Sequence, residues 1–299
     1  MNRAVLMLTL VLSGNGLLMA QGQVNDFRAT SGPFSFDIRK KSQPRLPTYV
    51  NHALLIANSQ YDDRRYPVLP NCVYDADSLK NLLVAKFNFT ADLLPRATEQ
   101  DFVSELEKLK SRAWQDTDQL LIYIAGHGGF DPTIQDGFLV MRNANKTEQT
   151  HRFWMGSLKR FLKSLPCKHV LLILDVCYGG TFDDAIAMEN NVIRGEFIST
   201  AASVPTDDRR AEYVRNKLKP QTRIFLASGG KEPVREGRSK EHSPFAKALL
   251  TQLNRTINAD GKLLTVYDLT SLLEKEVPTV VLRAFEGNEE KGDFLFIAK

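Results

Sequence analysis

Gln119-Leu-Leu-Ile-Tyr-Ile-Ala-Gly-His-Gly128 and His169-Val-Leu-Leu-Ile-Leu-Asp-Val-Cys177 decide the fold. Each is a strand-length apolar run that ends in a reactive side chain. The first His follows Gly126 and precedes Gly128-Gly129, and the Cys precedes Tyr178-Gly179-Gly180. The apolar residues are continuous rather than alternating. A strand with that pattern is buried on both faces, as in a parallel sheet covered by helices.

Working outward, the same kind of run recurs at His52–Asn58, Phe89–Leu94 and Thr222–Ala227, with a short strand at Gly137–Met141. Val280–Phe285 and Phe294–Ala298 read as closing strands. Helical segments alternate with them. Asp75–Phe87 carries Leu79, Leu82, Leu83 and Phe87 at helical spacing, with Asp75 placed as a cap. Thr98-Glu-Gln-Asp101 resembles a capping box that opens a helix with Phe102, Leu106 and Leu109 on one face. Trp154–Leu165 is stopped by Pro166, and Ser243-Pro244 starts a helix to about Asn254. Thr265–Val277 is the last helix. This alternation predicts an α/β fold, a mostly parallel sheet with helices on both faces, in one domain over 51–299. Asp183–Gln221 reads as the least ordered stretch. Its basic cluster, Arg209, Arg210, Arg215, Lys217 and Lys219, makes it a candidate processing linker.

The composition is ordinary for a globular protein, with 43% hydrophobic and 25% charged residues. A net charge of +4 without a long basic run predicts no nucleic-acid partner. Three cysteines, at 72, 167 and 177, are not a disulfide framework, and no Cys or His pair has zinc spacing. The acidic pairs Asp62-Asp63, Asp183-Asp184 and Asp207-Asp208 lack the spacing of a calcium loop and read as solvated turns. Residues 1–22 read as an export signal: Arg3, an apolar run from Ala4 to Leu12, then small residues at Ala20-Gln21-Gly22. That run is too short for a membrane anchor, so a secreted or periplasmic protein is expected. Residues 23–50, rich in charge and proline, read as an extended leader.

In an open α/β sheet, ligands bind beyond the carboxyl ends of the strands. His127 and Cys177 both sit there. A thiolate is a strong nucleophile and imidazole moves protons near neutral pH, so the pair suits acyl transfer. Backbone N–H groups in glycine turns can hold the oxyanion.

These motifs resemble the caspase and metacaspase group over 51–299. The likeness rests on Ala53-Leu-Leu-Ile56, Leu69-Pro-Asn-Cys-Val-Tyr-Asp-Ala76, Tyr123-Ile-Ala-Gly-His-Gly128, Leu174-Asp-Val-Cys177, Ala227-Ser-Gly-Gly230, Ser243-Pro-Phe-Ala246 and Gly292-Asp-Phe-Leu-Phe296. The 50-residue separation of His127 and Cys177 is the caspase spacing. The resemblance implies a caspase-like three-layer α/β/α sandwich and a cysteine endopeptidase working by a Cys177–His127 dyad. It assigns the oxyanion hole to the N–H groups of Gly128 and Cys177. Caspases carry Gln-Ala-Cys where this chain has Asp175-Val176-Cys177. In metacaspases the matching aspartate, with a second that aligns with Asp75, forms the pocket for a basic P1 side chain. Protein or peptide substrates with Arg or Lys at P1 are therefore expected. The resemblance implies no resident cofactor or metal and favours a monomer, and some metacaspases depend on calcium. Ser228 falls where the family faces substrate with its backbone. Cys72, Cys167, His52, His151, His169 and His242 read as structural or solvent-facing. The turn Cys177-Tyr178-Gly179-Gly180 departs from the metacaspase Cys-His-Ser-Gly. That departure keeps open a catalytically silent caspase-fold scaffold, and a gingipain- or clostripain-type peptidase is the third reading.

Overall fold

The computed structural model describes residues 46–47, 49–183, 207–230, 241–259 and 262–299. The expected export signal, nearly all of the leader, and residues 184–206 lie outside the described residues. The strands are β1 (Asn51–Ala57), β2 (Phe89–Pro95), β3 (Gln119–Gly126), β4 (Gly128–Asp131), β5 (Asp136–Asn145), β6 (Thr150–Trp154), β7 (His169–Val176), β8 (Thr222–Ala227), β9 (Leu263–Thr265), β10 (Val281–Ala284) and β11 (Leu295–Ile297). The helices are α1 (Cys72–Lys86), α2 (Glu99–Ser111), α3 (Met155–Ser164), α4 (Asp207–Lys217), α5 (Pro244–Ile257) and α6 (Val266–Leu273).

Six strands form the main sheet in the order β10-β8-β7-β3-β1-β2, parallel except for β10. From β1 the chain builds outward to β2 on one side, then crosses to β3 on the other. That reversal is the place where an α/β sheet opens a crevice.

Side-chain alternation divides the core into two layers. Leu55, Leu121, Tyr123, Leu171, Ile173 and Leu226 pack on the face covered by α1, α5 and α6. Leu54, Ile122, Ile124, Leu172, Leu174 and Phe225 pack on the face covered by α2 and α3. Covering both faces is what lets these strands be uninterrupted apolar runs. The same parity puts Asp175 on the α1/α5 face, in step with Leu171 and Ile173.

The capping box forms as the sequence predicts: Thr98 accepts from the Asp101 N–H, and Asp101 accepts from the Thr98 N–H. Ser243 caps α5 by accepting from the Ala246 N–H at 3.1 Å. Asp75 does not cap α1. The helix starts earlier, at Cys72 with Asn71 as its N-cap, which leaves Asp75 buried in the first turn. Two small antiparallel sheets, β4-β5-β6 and β9-β11, were not evident in sequence beyond part of β5 and β11.

The basic cluster also differs from expectation. Arg209 to Lys217 lie in helix α4, anchored by buried Ala211 and Val214 and by Leu218 just beyond. A helix keeps its peptide groups hydrogen-bonded, so these bonds are poorly offered as an extended cleavage segment. Lys217 Nζ lies 3.3 Å from Asp293 Oδ2. Burial pushes the Asp293 carboxyl up to about 7, against the opposing pull of Lys217.

A pH prediction follows from Asp293. Between its ordinary value of 3.8 and about 7, the folded chain holds a proton that the unfolded chain releases. Stability from this group is therefore lost as pH rises through that window. Chemical denaturation of Asp293→Asn at a series of pH values should show that slope flattened relative to wild type.

Candidate active site

β3 and β7 are hydrogen-bonded neighbours, and their register ends with Gly126 opposite Val176. The next residue of each strand is His127 and Cys177. Parallel strands lie about 4.8 Å apart, so the two residues leave the sheet level with each other at its carboxyl edge. The turns then pack closely. A Cβ on Gly128 would stand 2.2 Å from the Cys177 carbonyl oxygen, so only glycine permits this approach.

His127 is held from three sides. Its N–H donates to Tyr61 Oη at 2.7 Å, and Tyr61 Oη donates to the Asn58 carbonyl at 3.0 Å. The rings of Tyr61 and Tyr66 lie 5.0 and 5.9 Å from the imidazole centroid. Nε2 lies 2.8 Å from the Pro67 carbonyl. A carbonyl can only accept, so Nε2 carries the proton and Nδ1 keeps the lone pair. Burial lowers the His127 pKa, the Pro67 carbonyl opposes that shift, and Lys146 lowers it further. The imidazole is thereby kept neutral and ready to accept a proton.

Cys177 is half-buried and not in a disulfide. Tyr178, next in the chain, has φ 60° and ψ 20°, a left-handed conformation uncommon for a non-glycine residue. The following 3₁₀ turn, Gly179–Phe182, is tied to the end of β8: the Gly180 N–H donates to the carbonyl of Gly229 at 2.9 Å. The turn that follows Cys177 is therefore pinned on both sides. Cys72 and Cys167 are buried, and burial pushes the Cys167 thiol up to about 12. That makes Cys167 inert at neutral pH.

The two aspartates converge below this edge. Asp175 is 7% exposed and Asp75 2%. Asp175 Oδ2 accepts from Tyr123 Oη at 3.2 Å and from Ser243 Oγ at 3.1 Å. Asp175 Oδ1 is buried and has no hydrogen-bond partner among the described residues. Ser228 Oγ lies near enough to favour the carboxylate but does not meet hydrogen-bond geometry. Burial, with the charge of Asp75 adding to it, raises the Asp175 pKa to about 6. Asp75 accepts from the Ser243 N–H at 3.2 Å and from His242 Nδ1 at 2.6 Å. Burial raises its pKa and His242 opposes the shift. His242, expected to be a bystander, is thus part of this cluster. Of the other histidines, His169 is buried and donates to the Asp116 carbonyl at 2.9 Å, a structural role.

On the His127 side a cleft of about 470 Å³ opens, lined among others by Tyr66, Gly128, Phe138, Lys146, Arg152 and Tyr178. Among the described residues, no three His, Cys, Asp or Glu side chains converge on a point that could hold a metal. No described helix is long and apolar enough to cross a membrane.

A family model for the caspase domain matches residues 50–290. The chain belongs to the caspase-domain family, a family of cysteine peptidases. Caspase-1 from Spodoptera frugiperda superposes with a TM-score of 0.51 at 13% identity, over 80% of this chain and 91% of that one. A protein from Geobacter sulfurreducens superposes at 0.52 and 16% identity, over 80% and 93%. At these identities the likeness is one of fold. No curated protein matches the sequence.

Tyr61, Tyr66 and Pro67 were missed in the sequence. The only signal was an aromatic- and proline-rich stretch directly after the first strand.

Two outcomes check this geometry. Gly128→Ala should lower unfolding free energy by about 1–3 kcal/mol, the usual cost of overpacking a close contact. An NMR titration should place the His127 midpoint below 6.5, and Lys146→Glu should raise it by replacing a repelling charge with an attracting one.

Proposed function

We propose that this protein is a cysteine endopeptidase that cleaves peptide bonds after Arg or Lys through a Cys177–His127 dyad. The observation that carries the reading is the in-register end of β3 and β7, with a buried Asp175 oxygen, unpartnered among the described residues, two residues before the thiol.

In this mechanism His127 takes the Cys177 proton, and the thiolate sulfur attacks the scissile carbonyl carbon. The carbonyl oxygen becomes an oxyanion, held by the N–H groups of Gly128 and Cys177, a contribution of about 10²–10³ in rate per donor. The intermediate collapses by breaking the C–N bond. His127 hands its proton to the leaving amine, and a thioester remains on Cys177. Water, deprotonated by His127, then attacks the thioester, releases the acid and restores the thiol. The Pro67 carbonyl holds the imidazole in one tautomer throughout. No group beyond these residues is needed for proton or electron balance. Because His127 serves the leaving amine, the 470 Å³ cleft beside it would receive the leaving fragment.

Two carboxylates near the P1 position suit a guanidinium or ammonium and would repel an acidic P1 side chain. The apolar stretch near the amino terminus supports an exported enzyme.

Fluorogenic peptides ending in Arg, Lys or Asp, with and without calcium, test the reading. Cleavage after Arg or Lys, abolished in Cys177→Ala, is expected. KM for the Arg peptide should fall as pH rises through about 6, where Asp175 gains its charge. Asp175→Asn should remove that dependence and cost about 30-fold or more in kcat/KM. Cleavage only after Asp would discard the acidic pocket. Absence of any Cys177-dependent cleavage would favour a caspase-fold scaffold.

A further inference from the structure

The carboxylates assigned to the P1 pocket are not waiting open. Both side chains are almost wholly buried, and three of their four oxygens, all but Asp175 Oδ1, are occupied from within the chain. Two carboxylates this close in a dry site are costly unless a cation or several donors face them. Ser243 supplies two donors, one to each aspartate, and the other contact to Asp75 comes from an imidazole.

That imidazole is His242. Nδ1 donates to Asp75 Oδ1 at 2.6 Å, and the ring lies flat on Tyr74, with centroids 4.5 Å apart and planes 12° from parallel. Among the described residues of the cluster it most resembles a basic side chain: a flat, nitrogen-bearing group meeting a carboxylate, backed by an aromatic face. A P1 guanidinium would make the same two contacts.

We propose that His242 is a built-in occupant of the P1 pocket, which substrate must displace from Asp75. The inference rests on the Arg/Lys reading above. The backbone here is fixed, because Ser243 caps α5 and bonds both aspartates. The imidazole alone has somewhere to go. Its side chain is 23% exposed, and the Tyr74 ring it leans on is 47% exposed at the molecular surface. Rotating the ring outward would uncover Asp75 without moving the helix. His242 then sets affinity rather than chemistry. It competes with the cation of the substrate through its contacts with Asp75 and Tyr74.

The test compares wild type with His242→Ala and His242→Arg. Two readouts are used: KM and kcat for an Arg-ending peptide, and thermal stabilisation by benzamidine, a small amidinium that needs no turnover. Removing the occupant should lower KM by roughly tenfold, the worth of one hydrogen bond to a charged group, with kcat unchanged. Benzamidine should stabilise His242→Ala more than wild type. His242→Arg installs a stronger occupant, so KM should rise and the benzamidine effect should vanish. Opposite signs in the two variants are required, and this guards against a loss caused by misfolding. A higher KM in both would make His242 a wall of the pocket and overturn the proposal, as would an unchanged KM in both. If wild type cleaves Arg peptides and benzamidine behaves alike in all three proteins, the occupant fails while the specificity stands. If no variant cleaves after Arg or Lys or responds to benzamidine, the specificity fails and takes this proposal with it.

Discussion

The pairing of β3 with β7 is the constraint on which the rest depends. Eight consecutive register pairs, Gln119 with His169 through Gly126 with Val176, lock the two strands together at the centre of the sheet. Slippage by one residue would move every side chain to the opposite face and break both apolar layers. Because the register cannot slip, His127 and Cys177 must emerge level. Gly128 then lets the two turns close to a distance that any side chain would prevent. Position, rather than unusual chemistry, makes this ordinary thiol and imidazole a candidate dyad.

The same parity argument explains the acidic cluster. Asp175 follows Leu171 and Ile173 onto the face packed by α1 and α5, where Asp75 and Ser243 stand at the amino-terminal ends of their helices. Burial there raises both carboxyl pKa values, against the opposing pull of the hydrogen bonds they accept. A buried carboxylate is favoured by a facing cation, the basis of the proposed P1 preference. His242 meets part of that need, so under the proposed Arg/Lys specificity the groups that support the fold would also select the substrate.

Much of this was legible in the sequence, and what was not has physical causes. The main-sheet strands announce themselves because both faces are buried, so β1, β3, β7 and β8 are unbroken apolar runs. β4 and β6 do not, because their residues are only partly buried and alternate irregularly. Helix α4 was read as a linker because Asp207–Lys217 is so polar, with Ala211 and Val214 the buried positions among residues 209–217. His127 and Cys177 were found through strand-end position and glycine context. The Pro67 carbonyl and His242 were not. The first is a backbone atom with no residue-type signature, 60 positions from His127. The second meets Asp75 across 167 residues, a contact that only tertiary structure creates. Asp75 was found by resemblance, while its local spacing suggested a helix cap.

The most direct measurement is covalent labelling with a peptidyl chloromethyl ketone carrying Arg at P1, followed by peptide mapping, beside an otherwise identical reagent carrying Asp. The account predicts stoichiometric alkylation at Cys177 by the Arg reagent, fast relative to the Asp reagent, with Cys72 and Cys167 unmodified. Equal labelling by both reagents, or labelling that does not depend on His127, would contradict it.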